Sequence, residues 1–189
     1  MRHPALLDPA ETVLLVIDVQ ESYRTVLPGW EGVIAATRTL LQGATTLNLP
    51  VLLTEQYPKG LGPTRAELAA HLPAGSERFE KVSFSALGAQ GLPEALSRHG
   101  RDQVVLAGIE THVCISQTAH DLLARGLQVH LVRDAVTARF PLEDEIGVAK
   151  LVASGATLAS SEQALFEWLE RAGSAEFKAI HALVTGDGG

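Results

Sequence analysis

A single cysteine, Cys114, stands in a chain of 189 residues. No intrachain disulfide can form, which fits a reducing compartment and leaves one thiol free for chemistry. Long apolar runs are also missing. Stretches such as residues 13–17 and 104–107 fall far short of the ~20 residues needed to cross a bilayer. The opening MRHPALLDPAET lacks the apolar stretch and small-residue cleavage site of a signal peptide, so a cytoplasmic location with no membrane partner is expected. Positive charge is scarce: 15 Lys and Arg against 22 Asp and Glu give a net charge of −7. The basic residues are scattered, whereas phosphate backbones are gripped by clustered Lys and Arg, so no nucleic-acid partner is expected. The sequence holds no P-loop, no H-E-x-x-H and no C-x-x-C, and Gly60-Leu61-Gly62 runs on into Pro63, Thr64 and Arg65 rather than completing G-x-G-x-x-G. Nucleotide and zinc binding therefore have no motif behind them. Without repeats, linkers or low-complexity tracts, the chain reads as a single domain over residues 1–189.

What is present is an alternation of strands and helices. Residues 12–19 (TVLLVIDV) form a short β-branched apolar run, the pattern of a strand buried on both faces. Residues 31–47 place Val33, Ile34, Leu40, Leu41 and Leu47 at helical spacing, and Asn48 and Pro50 end that helix before a strand at 51–54. Two Pro and two Gly within residues 56–64 (QYPKGLGPT) predict a loop. Further strands are expected at 79–82, 103–108, 128–132 and 156–159. Helices are expected at 65–72, 92–99, 114–125, 143–154, 161–171 and 176–184, and the Gly-rich end should fray. This order predicts an α/β fold with three αβα layers around a mostly parallel sheet of about six strands, in a Rossmann-like order. Sites in such sheets lie in the crevice outside the strands' carboxyl ends. The residues placed there are Asp18, residues 54–57, Lys81 and residues 108–114, followed by Asp134.

Three of these carry the chemistry. Asp18 ends an apolar run, where a carboxylate needs a partner; a helix cap or structural ion pair would also account for it. Lys81 alone reads as an ordinary surface lysine and matters only within the group. Cys114 follows a strand and the tight segment GIETHV and opens a helix. The partial positive charge and free N–H groups of a helix N-terminus favour thiolate, the reactive form, although an inert core thiol fits the same position. His112 and His120 flank the cysteine, but His120 falls on another helical face, and both read as surface or core residues.

Asp18 after a buried strand, Lys81 mid-chain and G-I-E-T-H-V-C before a helix resemble the cysteine hydrolases of the isochorismatase-like superfamily. The likeness runs from about residue 10 to 185. The strings TEQYPKGLGPT, KVSFSAL and DLLARGLQVHLVRDAVTAR are similar to the isochorismatase domain-containing protein subgroup. The resemblance implies a catalytic trio in which Asp18 takes the thiol proton, Cys114 attacks an amide or related carbonyl and forms a thioester, and Lys81 stabilises the anionic partners. An ammonium there favours carboxylate and thiolate, so a lowered thiol pKa is expected. The resemblance further implies a cis peptide between Ile109 and Glu110, an oxyanion hole from the backbone N–H groups of Glu110 and Cys114, and pocket positions at Gln20, Tyr57 and Phe84. Nicotinamidase-like relatives hold a metal through Asp-x-His after the second strand. Here that stretch reads Thr54-Glu55-Gln56-Tyr57, so neither metal nor other cofactor is expected. Isochorismatases proper cleave a vinyl ether and do not need the cysteine, so the superfamily's name does not give the activity. The expected partners are a small-molecule substrate and further copies of the chain, through apolar faces on residues 114–125 and 143–154. A catalytically silent binding protein and a thiol redox sensor are the alternatives on the same fold.

Overall fold

A computed structural model describes residues 2–186. Six strands, β1 (Thr12–Ile17), β2 (Val51–Gln56), β3 (Glu77–Lys81), β4 (Gln103–Ile109), β5 (Gln128–Thr137) and β6 (Thr157–Ala159), lie in the order β3-β2-β1-β4-β5-β6. Every pairing is parallel, which completes the expectation of a mostly parallel sheet. The helices are α1 (Trp30–Thr46), α2 (Pro58–Leu61), α3 (Ala66–Ala69), α4 (Leu92–His99), α5 (Ser116–Ala124), α6 (Pro141–Ala153), α7 (Ser161–Leu169) and α8 (Phe177–Thr185). The fraying expected of the Gly-rich end falls on residues 187–189, outside the described residues.

Side chains alternate across each strand, so the apolar residues of β1 serve two cores. Leu14 and Val16 pack with Trp30, Leu40, Leu41 and Trp168 on the face covered by α1, α7 and α8. Val13, Leu15 and Ile17 pack with Leu92, Leu122 and Leu151 on the face covered by α4, α5 and α6. The result is the three-layer αβα arrangement. From β1 the chain winds outward through β2 to β3, then returns to lay β4 on the other side of β1. The reversal opens a crevice at the carboxyl ends of β1 and β4, where this class of sheet binds its ligands. Gly108 permits the strands to close there: it has φ 125°, and a Cβ on it would stand 2.0 Å from the Ile17 carbonyl oxygen.

Three local expectations change. Residues 56–64 are not wholly loop, since Pro58 starts the single turn α2, a position where its missing N–H costs nothing. Cys114 does not open an α-helix; it lies in a π-helical turn, Thr111–Ile115, that leads into α5. β5 continues to Thr137 through a register shift opposite Leu106 and Gly108. The charged pair Arg133-Asp134 hides that continuation in the sequence. Asp134 is consequently an exposed mid-strand residue that accepts the Ser161 N–H and hydroxyl, not a member of the crevice.

Candidate active site

Asp18 is the first residue past β1. Its backbone turns to φ 56°, a left-handed conformation that Asp tolerates better than most residues, while its N–H donates to the Thr54 carbonyl at 3.1 Å. The side chain is buried. Oδ1 accepts the Thr54 hydroxyl at 2.8 Å, and Oδ2 accepts Lys81 Nζ at 2.6 Å.

Lys81 ends β3, level with Gln56 of β2. Besides Asp18, its ammonium donates to Gln56 Oε1 at 2.6 Å, to the carbonyls of Phe84 and Ser83 at 3.1 and 3.2 Å, and lies 3.6 Å from Cys114 Sγ. An ammonium has three donors, so this group is fully occupied by the protein. Both members of the ion pair are out of water, and these extra hydrogen bonds offset the desolvation that would otherwise make such a pair unfavourable.

Cys114 completes the cluster. Burial pushes its thiol up to about 12; the Asp18 charge and a hydrogen bond to Asp18 act in the same direction, and Lys81 opposes them. The lowered thiol pKa expected from a lysine neighbour and a helix start is therefore corrected. Lost hydration outweighs the ammonium and favours the protonated thiol.

The turn that carries the sulfur is fastened on two sides. The Ile109–Glu110 peptide is cis, as the resemblance implied. The Glu110 carbonyl accepts the Val113 and Ile115 N–H groups at 3.0 and 3.3 Å. Its carboxylate accepts the Arg139 N–H at 2.9 Å and Arg139 Nε at 3.1 Å. On the far side, the buried Thr111 hydroxyl donates to Asp144 of α6, whose other oxygen takes Arg133. Helix α6 comes this close because Gly147 has no side chain; a Cβ there would stand 3.1 Å from His112 Cα.

Of the expected pocket residues, Gln20 is fully buried. It donates to the Gln56 and Gly62 carbonyls at 2.9 and 2.6 Å and accepts the Gln56 N–H at 2.8 Å, so it ties the segment after β2 to β1. Tyr57 is half-exposed beside a cavity of about 360 Å³ shared with Lys59, Val82 and Gln90. Phe84 offers its carbonyl to Lys81 while its ring is exposed. His120 bonds to the Ser116 carbonyl and the Ser154 hydroxyl, away from the sulfur. Sequence reasoning missed Tyr23 and Arg139. Burial pushes the Tyr23 phenol up to about 12, with Asp18, Cys114 and Glu110 adding to the rise and Arg139 opposing it, so all five groups share one electrostatic neighbourhood. The signal for Tyr23 was an aromatic five residues past Asp18; that for Arg139 was its place just beyond a strand whose end had been read too early.

A metal does not fit beside β2. Thr54 serves Asp18, Glu55 accepts the Thr64 N–H and hydroxyl, and Gln56 serves Lys81. Among the described residues no group of three or more His, Cys, Asp or Glu is arranged to hold one.

Residues 12–163 match the family model described as the isochorismatase domain. The chain belongs to the isochorismatase family. Isochorismatase domain-containing protein 2 from Danio rerio is 39% identical over 173 residues, 92% of this chain and 86% of that protein. The secreted isochorismatase effector Isc1 of Phytophthora sojae is 39% identical over 186 residues, 94% and 86% of the two. Among solved structures, the MAR1 ribonuclease from Caenorhabditis elegans matches with a TM-score of 0.90 at 33% identity, covering 95% of this chain and 92% of that one. The fold is thus that of the isochorismatase-family hydrolases, and no helix among the described residues is long and apolar enough to cross a membrane.

Proposed function

We propose that this chain is a cysteine hydrolase that cleaves the C–N bond of a small amide, or the corresponding ester bond, through a thioester on Cys114. The observation that carries the reading is the buried ammonium of Lys81, whose Nζ lies 2.6 Å from the Asp18 carboxylate and 3.6 Å from the Cys114 sulfur and so gathers the three side chains. Asp18 accepts the thiol proton as sulfur attacks the carbonyl carbon. The N–H groups of Glu110 and Cys114 stabilise the oxyanion. As the tetrahedral intermediate collapses, the amine leaves with the proton from Asp18. Water then gives a proton to Asp18 and attacks the thioester; the acid departs and the proton returns to sulfur. Lys81, held by the protein, fixes the carboxylate and balances the charge that moves between oxygen and sulfur. No step calls for a metal.

The redox-sensor alternative needs thiolate at rest, and a thiol pushed up to about 12 disfavours it. The ribonuclease name of the Caenorhabditis elegans relative does not suit a chain of net charge −7 without a basic cluster. The free cysteine supports a cytoplasmic setting, and the exposed side chains of Phe140, Leu142 and Ile146 support assembly with further copies.

A screen of small amides, carbamoyl compounds and esters, with intact-mass detection of an acyl adduct, tests the reading. Wild type should turn over one class and accumulate an adduct that Cys114→Ala lacks. Undiminished turnover by Cys114→Ala would overturn it.

A further inference from the structure

We propose that residues 2–8 form an acid-released strap over His130: mild acid protonates the imidazole and lifts the segment from the amino ends of the strands. His130 lies between Val105 of β4 and Thr157 of β6, and along β5 it shares a face with Val132. It is 0% exposed, and among the described residues neither ring nitrogen has a hydrogen-bond partner. A neutral imidazole carries one donor and one acceptor, so both are left unmet. What keeps water from the ring on this side is a single layer of chain. The Pro4 backbone reaches the imidazole, while Pro4, Ala5 and Leu6 are themselves exposed.

Few bonds hold the strap. Arg2 Nη1 donates to the carbonyls of Leu7 and Glu167 at 2.6 and 2.9 Å, and the Leu7 N–H donates to Glu167 Oε2 at 2.8 Å. Gln103 binds the Asp8 N–H and the Leu6 carbonyl at 2.7 and 3.0 Å. Of residues 2–8 only Leu7 is fully buried, in the core that also holds Trp168.

An imidazolium in this place would find no counter-charge. On β5 itself, Arg133 is paired with Asp144, and Asp134 is occupied by Ser161. Helices α1 and α7 pack on β5. On α1, Glu31 faces Arg24 and Arg38 faces Glu67; on α7, Glu167 serves Leu7 and Glu162 is exposed. On the strap, His3 and Asp8 accept the N–H groups of Ala5 and Ala10, and Arg2 carries the wrong sign. β4 and β6 hold no charged residue. None of these groups shifts His130, whose pKa is lowered by burial. Lifting the strap admits water, so the open form binds a proton near pH 6.5 and the closed form resists it. Each pH unit below that value then favours opening about tenfold. Cys114 lies beyond the carboxyl end of β4, so the trio stays in place when the strap leaves.

Hydrogen exchange of the full chain from pH 8 to pH 5, read by mass spectrometry and corrected for intrinsic rates, tests this. Protection of residues 5–11 should be flat above about pH 6.5 and fall about tenfold per unit below it, while residues 13–17 and 104–109 keep theirs. The slope should vanish in His130→Leu and in His130→Gln, which serves if the leucine variant fails to fold. Glu167→Gln, which keeps an acceptor for the Leu7 N–H and removes the carboxylate, should retain the slope. Flat protection in wild type, an equal loss at residues 13–17 and 104–109, or a slope that survives without His130 or disappears without the Glu167 charge overturns the proposal.

Discussion

The Cys114 sulfur has a carboxylate and an ammonium as neighbours, and their effects on it are opposed. Because burial adds to the carboxylate's effect, the thiol ionises near 12, and two consequences follow. Alkylation by iodoacetamide should keep accelerating through pH 9 and 10; a plateau near pH 7 would mean a thiolate at rest and would contradict the site's electrostatics. Stability should carry the same signature. The unfolded thiol ionises at its ordinary value and the folded one higher, so stability is whole below that ordinary value and declines as pH rises above it. Cys114→Ala should flatten the alkaline limb of a urea-midpoint profile. Asp18→Asn should be nearly inactive, because an amide cannot take the thiol proton. It should also be less stable by roughly 3–5 kcal/mol, since Lys81 is left as a buried, unpaired charge. A denaturation midpoint equal to wild type would argue that the ion pair is not closed in solution. The grouping of Asp18, Lys81 and Cys114 comes from the resemblance rather than from the residues alone: Asp18 follows a strand, Lys81 ends one and Cys114 follows another, positions that also suit structural residues. Tyr23 and Arg139 were not legible, because an aromatic on a turn and an arginine past a strand look alike whether they face a site or solvent.

At the level of elements, the site depends on two that the sequence shows poorly. The π-helical turn at Thr111–Ile115 continues into α5 without a break in apolar spacing, so the two merge when read as residues alone. β5 hides its second half behind Arg133 and Asp134, yet that half pairs with the end of β4 and delivers Arg139 to Glu110. β1, β2 and β4 could be read directly, because strands buried on both faces carry runs of apolar residues. β5 also holds His130, fully buried, whose pKa is lowered by burial with the Pro4 backbone acting weakly against it. The unfolded imidazole binds a proton near pH 6.5, whereas the folded one resists until lower pH. Stability from this residue is therefore whole above about pH 6.5 and is lost as pH falls below it. Urea midpoints at pH 7 and pH 5 should differ less in His130→Leu than in wild type. An equal difference would show that other groups carry the acid sensitivity.

The whole molecule has an accessible surface of 8862 Å², and its apolar patches decide how copies can meet. Two helical faces were expected to contribute, and the structure separates them. On α5, Ala119 and Leu122 are already buried against the sheet, so that face has nothing left to offer a partner. On α6 and the residue before it, Phe140, Leu142 and Ile146 remain 61%, 62% and 52% exposed. A standard interface buries about 800 Å² on each partner, roughly a tenth of this surface, and obligate ones are more apolar than that class. These three side chains can supply the centre of such a patch, where large apolar groups carry most of the association energy. Sedimentation at micromolar concentration should show a species larger than the monomer, and Leu142→Glu with Ile146→Glu should shift it to monomer while leaving the fold intact by circular dichroism. A wild-type monomer at that concentration would rule out the assembly; an oligomer indifferent to the double change would move the interface to another face.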